Sequence, residues 1–241
     1  MEPGSWTDHG SMNIPVPPLE LSSDGSYRPP YVRLDGNLLV DSFDPQGTSM
    51  VKYMVFGSYQ FGLYGVALSD DLLTMKPGSV PYLIIADQYQ RPSEPGQFDQ
   101  SGNYTEGPYQ LAHGDWLYIF YSRGNCCAPG SFDISTVYQT QVCRTPIGNG
   151  PAGPYVDRNG ESCSRGSYYR HGSIFLYSNN EDGNRATVFA PGSVGVINDP
   201  DEGLCMWYQY QDNTAELPNL RFGYNYLNFD ADGWPILTAE R

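Results

Sequence analysis

Glu106 opens the stretch Glu106-Gly-Pro-Tyr-Gln-Leu-Ala-His-Gly-Asp-Trp-Leu-Tyr-Ile-Phe-Tyr121, in which a Gly-Pro pair and a turn at 112–115 precede an aromatic strand over 116–121. A carboxyl group at the head of a strand, among aromatic rings, can act as the general acid of a sugar cleft, protonating a departing glycosidic oxygen. A lone glutamate is more often an ordinary loop residue, so the weight rests on what accompanies it. Asp41 ends the apolar run Asn37-Leu-Leu-Val-Asp41, 65 residues before Glu106, and the same step separates Tyr53 from Tyr118. Two carboxylates at matching places of a repeat would point to one cleft, where an ionised neighbour raises the pKa of a carboxyl group by like-charge repulsion.

The elements that must position these groups read as short strands. A first round runs over 37–41, 51–57, 63–68 and 81–86, with a turn at Gly57-Ser-Tyr-Gln-Phe-Gly62. A second runs over 106–111, 116–121 and 135–143, the last alternating as a half-buried strand does. A third runs over 192–197, 204–210 and 221–229 and closes at 230–235, with 158–190 read as an insertion. A further strand candidate is Ser5-Trp-Thr-Asp-His9, followed by a Pro-rich connection over 15–30. Repeated units of about four short strands are the mark of a β-propeller, with a β-sandwich as the alternative. Trp116 and Tyr118, at alternating strand positions, read as core residues, and His113 and His171 as solvated turn residues.

Composition narrows the partners. The chain has 241 residues, of which 17% are charged, and a formal net charge of −14. Such a surface repels phosphate backbones and anionic lipid, so neither nucleic acid nor membrane is an expected partner. A neutral ligand meets no such barrier. Twenty Tyr and four Trp supply rings with polar edges that stack on sugars and bond their hydroxyls. Cys126, Cys127, Cys143, Cys163 and Cys205 fit no zinc spacing and read as disulfide formers of an oxidising compartment with one thiol left over, their pairing open. Asn103-Tyr-Thr105 is a glycosylation sequon that a working cleft at Glu106 would leave unused. No apolar run reaches membrane-spanning length, and the residues from Met1 do not read as a signal peptide.

Taken together, Asn37-Leu-Leu-Val-Asp41, Phe56-Gly-Ser-Tyr59, Gly62-Leu-Tyr-Gly-Val-Ala-Leu-Ser-Asp-Asp71, Thr105-Glu-Gly-Pro-Tyr109, Tyr121-Ser-Arg-Gly-Asn-Cys-Cys127, Gly153-Pro-Tyr-Val-Asp157 and Asp232-Gly-Trp-Pro235 resemble glycoside hydrolase family 43. The closest likeness is to its arabinan endo-1,5-α-L-arabinosidase branch. The resemblance implies an all-β, five-bladed propeller that cleaves glycosidic bonds with inversion through three carboxyl groups. It makes Glu106 the general acid and Asp41 the aspartate that tunes the acid and orients the sugar. It sets Ser58, Tyr59 and Phe61 along the sugar subsites.

The family's general base stands in a His-Asp-Pro-like context, which this sequence lacks; Asp8 and Asp44 are carboxylates by type but do not occupy that place. Residues 1–37 accordingly read as the end of a blade and a linker, and 38–241 as an incomplete propeller of about three blades. The resemblance also allows a calcium at the hub, but Gln209 and Ser193 stand where the family has histidines, so no metal or cofactor is expected. The expected partner is an arabinan-like polysaccharide, the expected location extracellular, and the complete molecule a monomer. A catalytically inactive carbohydrate-binding remnant, or a fragment that folds poorly alone, are the alternatives.

Overall fold

The computed structural model describes residues 7–15, 20–21, 27–28, 31, 33–42, 50–57, 62–86, 105–124, 137–164, 172–178, 188–212 and 219–239. Three four-stranded antiparallel sheets carry the fold, each a meander in which consecutive strands pair. A two-stranded ribbon, β1 (Glu20–Leu21) and β2 (Tyr27–Arg28), precedes them. The first sheet comprises β3 (Asn37–Ser42), β4 (Met50–Phe56), β5 (Gly62–Ala67) and β6 (Tyr82–Ala86). The second comprises β7 (Thr105–His113), β8 (Trp116–Arg123), β9 (Gln139–Pro146) and β10 (Ser173–Leu176). The third comprises β11 (Phe189–Asp199), β12 (Gly203–Asp212), β13 (Asn219–Phe229) and β14 (Pro235–Thr238).

The sheets pack in series, with the second in the middle. Side chains on a strand alternate between faces, and β8 uses both. Leu117, Ile119 and Tyr121 join Leu39, Tyr53, Val55, Leu63 and Ile84 in a core shared with the first sheet. Tyr118 and Phe120 join Val194, Met206, Tyr208 and Leu227 in a core shared with the third. Each large apolar side chain removed from water in this way contributes about 1.5–3 kcal/mol. This is why Trp116-Leu-Tyr-Ile-Phe-Tyr121 reads as an unbroken apolar run: the strand is covered on both faces. A serial stack of three meanders is not the two-layer sandwich weighed as the alternative. Tyr118 is core, as expected; Trp116 is half-buried.

Several expectations are corrected. Residues 7–9 are not in a strand, although 5–9 read as one. The supposed insertion holds β10, the fourth strand of the second sheet. At four residues on a sheet edge, β10 shows too little alternation to be read. The Pro-rich connection holds β1 and β2, and β14 follows the closing turn.

Two cross-links lock the second sheet. Cys143 of β9 is disulfide-bonded to Cys163, and both are fully buried. Cys205, on β12, is a buried thiol, while Cys126 and Cys127 lie outside the described residues. The guanidinium of Arg144 sits 3.8 Å from the Trp116 ring centroid and 4.1 Å from that of Trp234, and donates to the Asp232 carbonyl at 2.6 Å. Arg158 pairs with Asp230 at 3.0 Å. The Tyr118 hydroxyl donates to the Gly233 carbonyl. The turn 230–234, which joins β13 to β14, is thereby clasped onto the second sheet.

The first strands of the three sheets are neighbours, with β7 between β3 and β11. Gly107 N–H reaches Asp35, and Gln110 N–H reaches the Asn37 side chain at 3.0 Å. On the other side, Gly107 lies against Ser193 and the Tyr109 hydroxyl donates to the Val196 carbonyl at 2.8 Å. Both registers ascend together, so β3, β7 and β11 run side by side in one direction.

Candidate active site

The site forms where the leading ends of these three strands meet. Before β3, Leu34-Asp35-Gly36 makes a turn whose aspartate has φ +53°, a left-handed conformation that Asp adopts more readily than most residues. The turn is tied down by Gly57 N–H, which donates to the Leu34 carbonyl at 2.9 Å. Asp35 is thereby held exposed at the strand head, its Oδ2 accepting the Gly107 N–H at 3.3 Å.

Glu106 heads β7, directly across from Ser122 of β8. The next two residues form a bulge: the register slips between Glu106 and Tyr109, Gly107 takes φ +57°, and Pro108 gives up no ladder hydrogen bond there. Bulges re-aim the side chain beside them, and here the half-buried Glu106 meets the Tyr138 hydroxyl, which donates to its Oε1 at 2.5 Å. Tyr138, just ahead of β9, is 5% exposed. Burial, and then the adjacent Glu106 charge, push its hydroxyl far above the usual tyrosine range, so it stays a donor. The neighbouring Ser122 and Ser193 hydroxyls pull more weakly in the other direction. Ser122 Oγ, fully buried, accepts the Ser193 N–H at 2.9 Å.

At the head of β11 the backbone is irregular. Its pairing with β12 slips on either side of Gly192, and Ala190 and Ser193 both have φ +51°. Gly192 is required by close approach, since a Cβ there would stand 2.1 Å from the Tyr138 ring and 2.7 Å from Ser122 Oγ.

The residues named from sequence fall differently. Glu106 lies at this junction. Asp41 is at the trailing end of β3, opposite Val51, six residues beyond Asp35. At about 3.3 Å per residue that is roughly 20 Å along the strand from the level of Glu106. The structure therefore brings Asp35, not Asp41, to Glu106. The equal step of 65 misled because β3 is entered by a turn and β7 by a bulge, so matching numbers do not mean matching heights. Leu34-Asp35-Gly36 carried a signal of its own: an aspartate in a turn directly ahead of an apolar strand. Tyr138, Ser122 and Ser193 gave none as site residues. Ser58, Tyr59 and Phe61 lie outside the described residues, as does His171; His113 is exposed but stacks on Phe229 with ring centroids 4.0 Å apart. Among the described residues, no three His, Cys, Asp or Glu side chains are grouped to hold a metal ion. Ser193 and Gln209 offer only a hydroxyl and an amide.

Two carboxyl groups on adjacent strand heads, one taking a main-chain N–H and the other a phenol, suit proton transfer to an oxygen held between them. Residues 2–235 match the model of glycosyl hydrolases family 43, and the chain belongs to that family. It is 32% identical to arabinan endo-1,5-alpha-L-arabinosidase A of Aspergillus aculeatus over 98% of its own length and 62% of that protein's. A homologue of the same name from Aspergillus niger is 31% identical over the same shares. The chain thus spans under two thirds of the length of these relatives. Among solved structures, the alpha-L-arabinanase of Cellvibrio cellulosa complexed with arabinohexaose superposes with TM-score 0.69 at 22% identity, covering 88% of this chain and 58% of that one. The endo-1,5-alpha-L-arabinanase of Thermotoga petrophila superposes with TM-score 0.62 at 21% identity, covering 90% and 46%.

Proposed function

We propose that this site hydrolyses glycosidic bonds of an arabinan-like polysaccharide, with Glu106 as general acid and Asp35 as the carboxylate that orients the sugar and tunes the acid. The observation that carries this reading is the meeting of Asp35 and Glu106 at the leading ends of adjacent parallel strands. It replaces Asp41 in the tuning role. Ser58, Tyr59 and Phe61 remain proposed subsite residues, and Gly57, just before them, is bonded to the turn that holds Asp35.

In an inverting hydrolysis the acid protonates the leaving oxygen while a base on the opposite face of the sugar activates water, the two carboxyls standing about 6.5–9.5 Å apart. The motifs of this chain supply no such base: Asp8 Oδ1 accepts the Gly10 N–H at 2.7 Å, and Asp44 lies outside the described residues. The 241-residue chain is therefore expected to bind arabino-oligosaccharides and to cleave linear 1,5-arabinan slowly. Binding without turnover would assign it the alternative role, a carbohydrate-binding remnant.

The three sheets are proposed as three blades of a five-bladed propeller. Leu220, Phe222 and Tyr224 lie exposed on β13, with Phe222 stacked on Trp207, and form the kind of face that a further sheet covers. The Cys143–Cys163 disulfide supports an extracellular setting. The test measures reducing ends released from linear 1,5-arabinan, and arabinohexaose binding by calorimetry. The wild type is compared with Glu106→Gln, Asp35→Asn and Asp41→Asn. Rapid cleavage by the wild type would overturn the missing-base reading, and unchanged turnover in Glu106→Gln would remove Glu106 as the acid.

A further inference from the structure

Resting on the reading of Glu106 as the acid, we infer that Tyr138 is its positioning residue, holding the carboxyl group by Oε1 in the orientation that delivers the proton. A carboxyl group has two oxygens and a soft terminal torsion, so an unheld acid spends its proton in many directions. Orientation of a catalytic group is worth a large part of a barrier. Tyr138 removes that freedom. Its hydroxyl donates to Oε1 at 2.5 Å, which fixes the terminal torsion of the carboxyl group.

The Tyr138 side chain is itself fixed. It packs with Val137, Phe189 and Ala190, and the Gly192 backbone lies so close to its ring that no larger residue fits. Ser122, near its hydroxyl, accepts the Ser193 N–H at 2.9 Å, so the left-handed backbone at Ser193 borders the place where Tyr138 meets Glu106.

The step balances simply. The proton leaves the Glu106 carboxyl group for the glycosidic oxygen as the bond to the sugar breaks, and Tyr138 keeps its own proton throughout. As negative charge grows on the carboxylate, the bond from Tyr138 becomes charge-assisted and about twice as strong. That interaction is tighter in the transition state than in the ground state, which is the condition for raising kcat rather than lowering KM.

Two measurements test this. In the first, wild type, Tyr138→Phe and Glu106→Gln are compared on an arabino-oligosaccharide and on its nitrophenyl glycoside, whose leaving group needs no proton. Tyr138→Phe is expected to lower kcat by about 10- to 100-fold on the oligosaccharide and by no more than about threefold on the nitrophenyl glycoside, with KM unchanged. Glu106→Gln is expected to show the same pattern more strongly. An equal loss on both substrates in Tyr138→Phe, or no loss, overturns the positioning role. Absence of the pattern in Glu106→Gln overturns the assignment of the acid itself. The second measurement needs no turnover. In proton NMR the Tyr138 hydroxyl should give a downfield, slowly exchanging resonance that moves upfield in Glu106→Gln and is missing from Tyr138→Phe. Its absence from the wild type overturns the proposal however slowly the chain cleaves substrate.

Discussion

The two ends of the second sheet use their charged groups differently. At one end Glu106 takes a phenol hydrogen bond and Asp35 a main-chain N–H at the meeting of adjacent strands. At the other, Arg144 lies between Trp116 and Trp234, and Arg158 is paired with Asp230. The first end sets two carboxyl groups where the proposed chemistry would occur, while the second uses its charges to hold the third sheet in place. The contrast predicts that substitutions at the first end change turnover with little loss of stability, and those at the second do the reverse.

The largest effect is expected at the first end. Glu106→Gln should lower cleavage of arabino-oligosaccharides by roughly 100-fold or more while leaving their binding intact. Asp35→Asn should also cost most of the turnover, and Asp41→Asn almost none. An Asp41→Asn variant as impaired as Asp35→Asn would return the tuning role to Asp41. Reduction of Cys143–Cys163, which closes a 20-residue separation, should lower stability by about 3 kcal/mol in urea unfolding. Arg144→Ala should cost about 2–3 kcal/mol by losing two aromatic faces and a carbonyl partner, with turnover per folded molecule unchanged. If Arg144→Ala instead abolishes turnover at full stability, the division between the two ends is wrong.

The smallest effect comes from Asp230. Main-chain N–H groups of Trp234 and Asp232 and the Arg158 guanidinium hold its carboxyl below the usual aspartate range. A carboxyl group depressed in the folded state adds stability above its unfolded pKa, and that contribution is lost as pH falls through the folded value. Asp230→Asn should therefore be slightly less stable than wild type at neutral pH. The two melting temperatures should converge in acid, below the ordinary carboxylate range.

Much of the fold was legible in the sequence because its strands alternate, or are apolar throughout, where they are buried. β8 declares itself in this way, and β3, β4 and β12 appear within a residue or two of their expected places. β10 and β14, four residues each on sheet edges, carry too few buried positions to leave a pattern. β9 begins four residues later than expected, because the alternation before it includes Tyr138, which faces Glu106 from outside the ladder. Glu106, proposed as the acid, stood out for its Glu-Gly-Pro context. The position of Asp35 near it did not, because strand height is set by the turn before β3 and the bulge in β7, which residue counting treats as equal. The bond from Ser193 N–H to Ser122 joins residues 71 apart in the chain, and only the packing of β8 and β11 reveals it.

The Arg144 clasp also makes the molecule its own optical probe. Two of the four tryptophans face the same guanidinium, and Trp234 is buried within the turn that the clasp holds. If the third sheet lifts from the second, Trp234 passes from a dry, cation-faced pocket into water and its emission shifts to longer wavelength. Tryptophan fluorescence followed during unfolding would then show whether that sheet leaves before the far-ultraviolet strand signal is lost, with no label added.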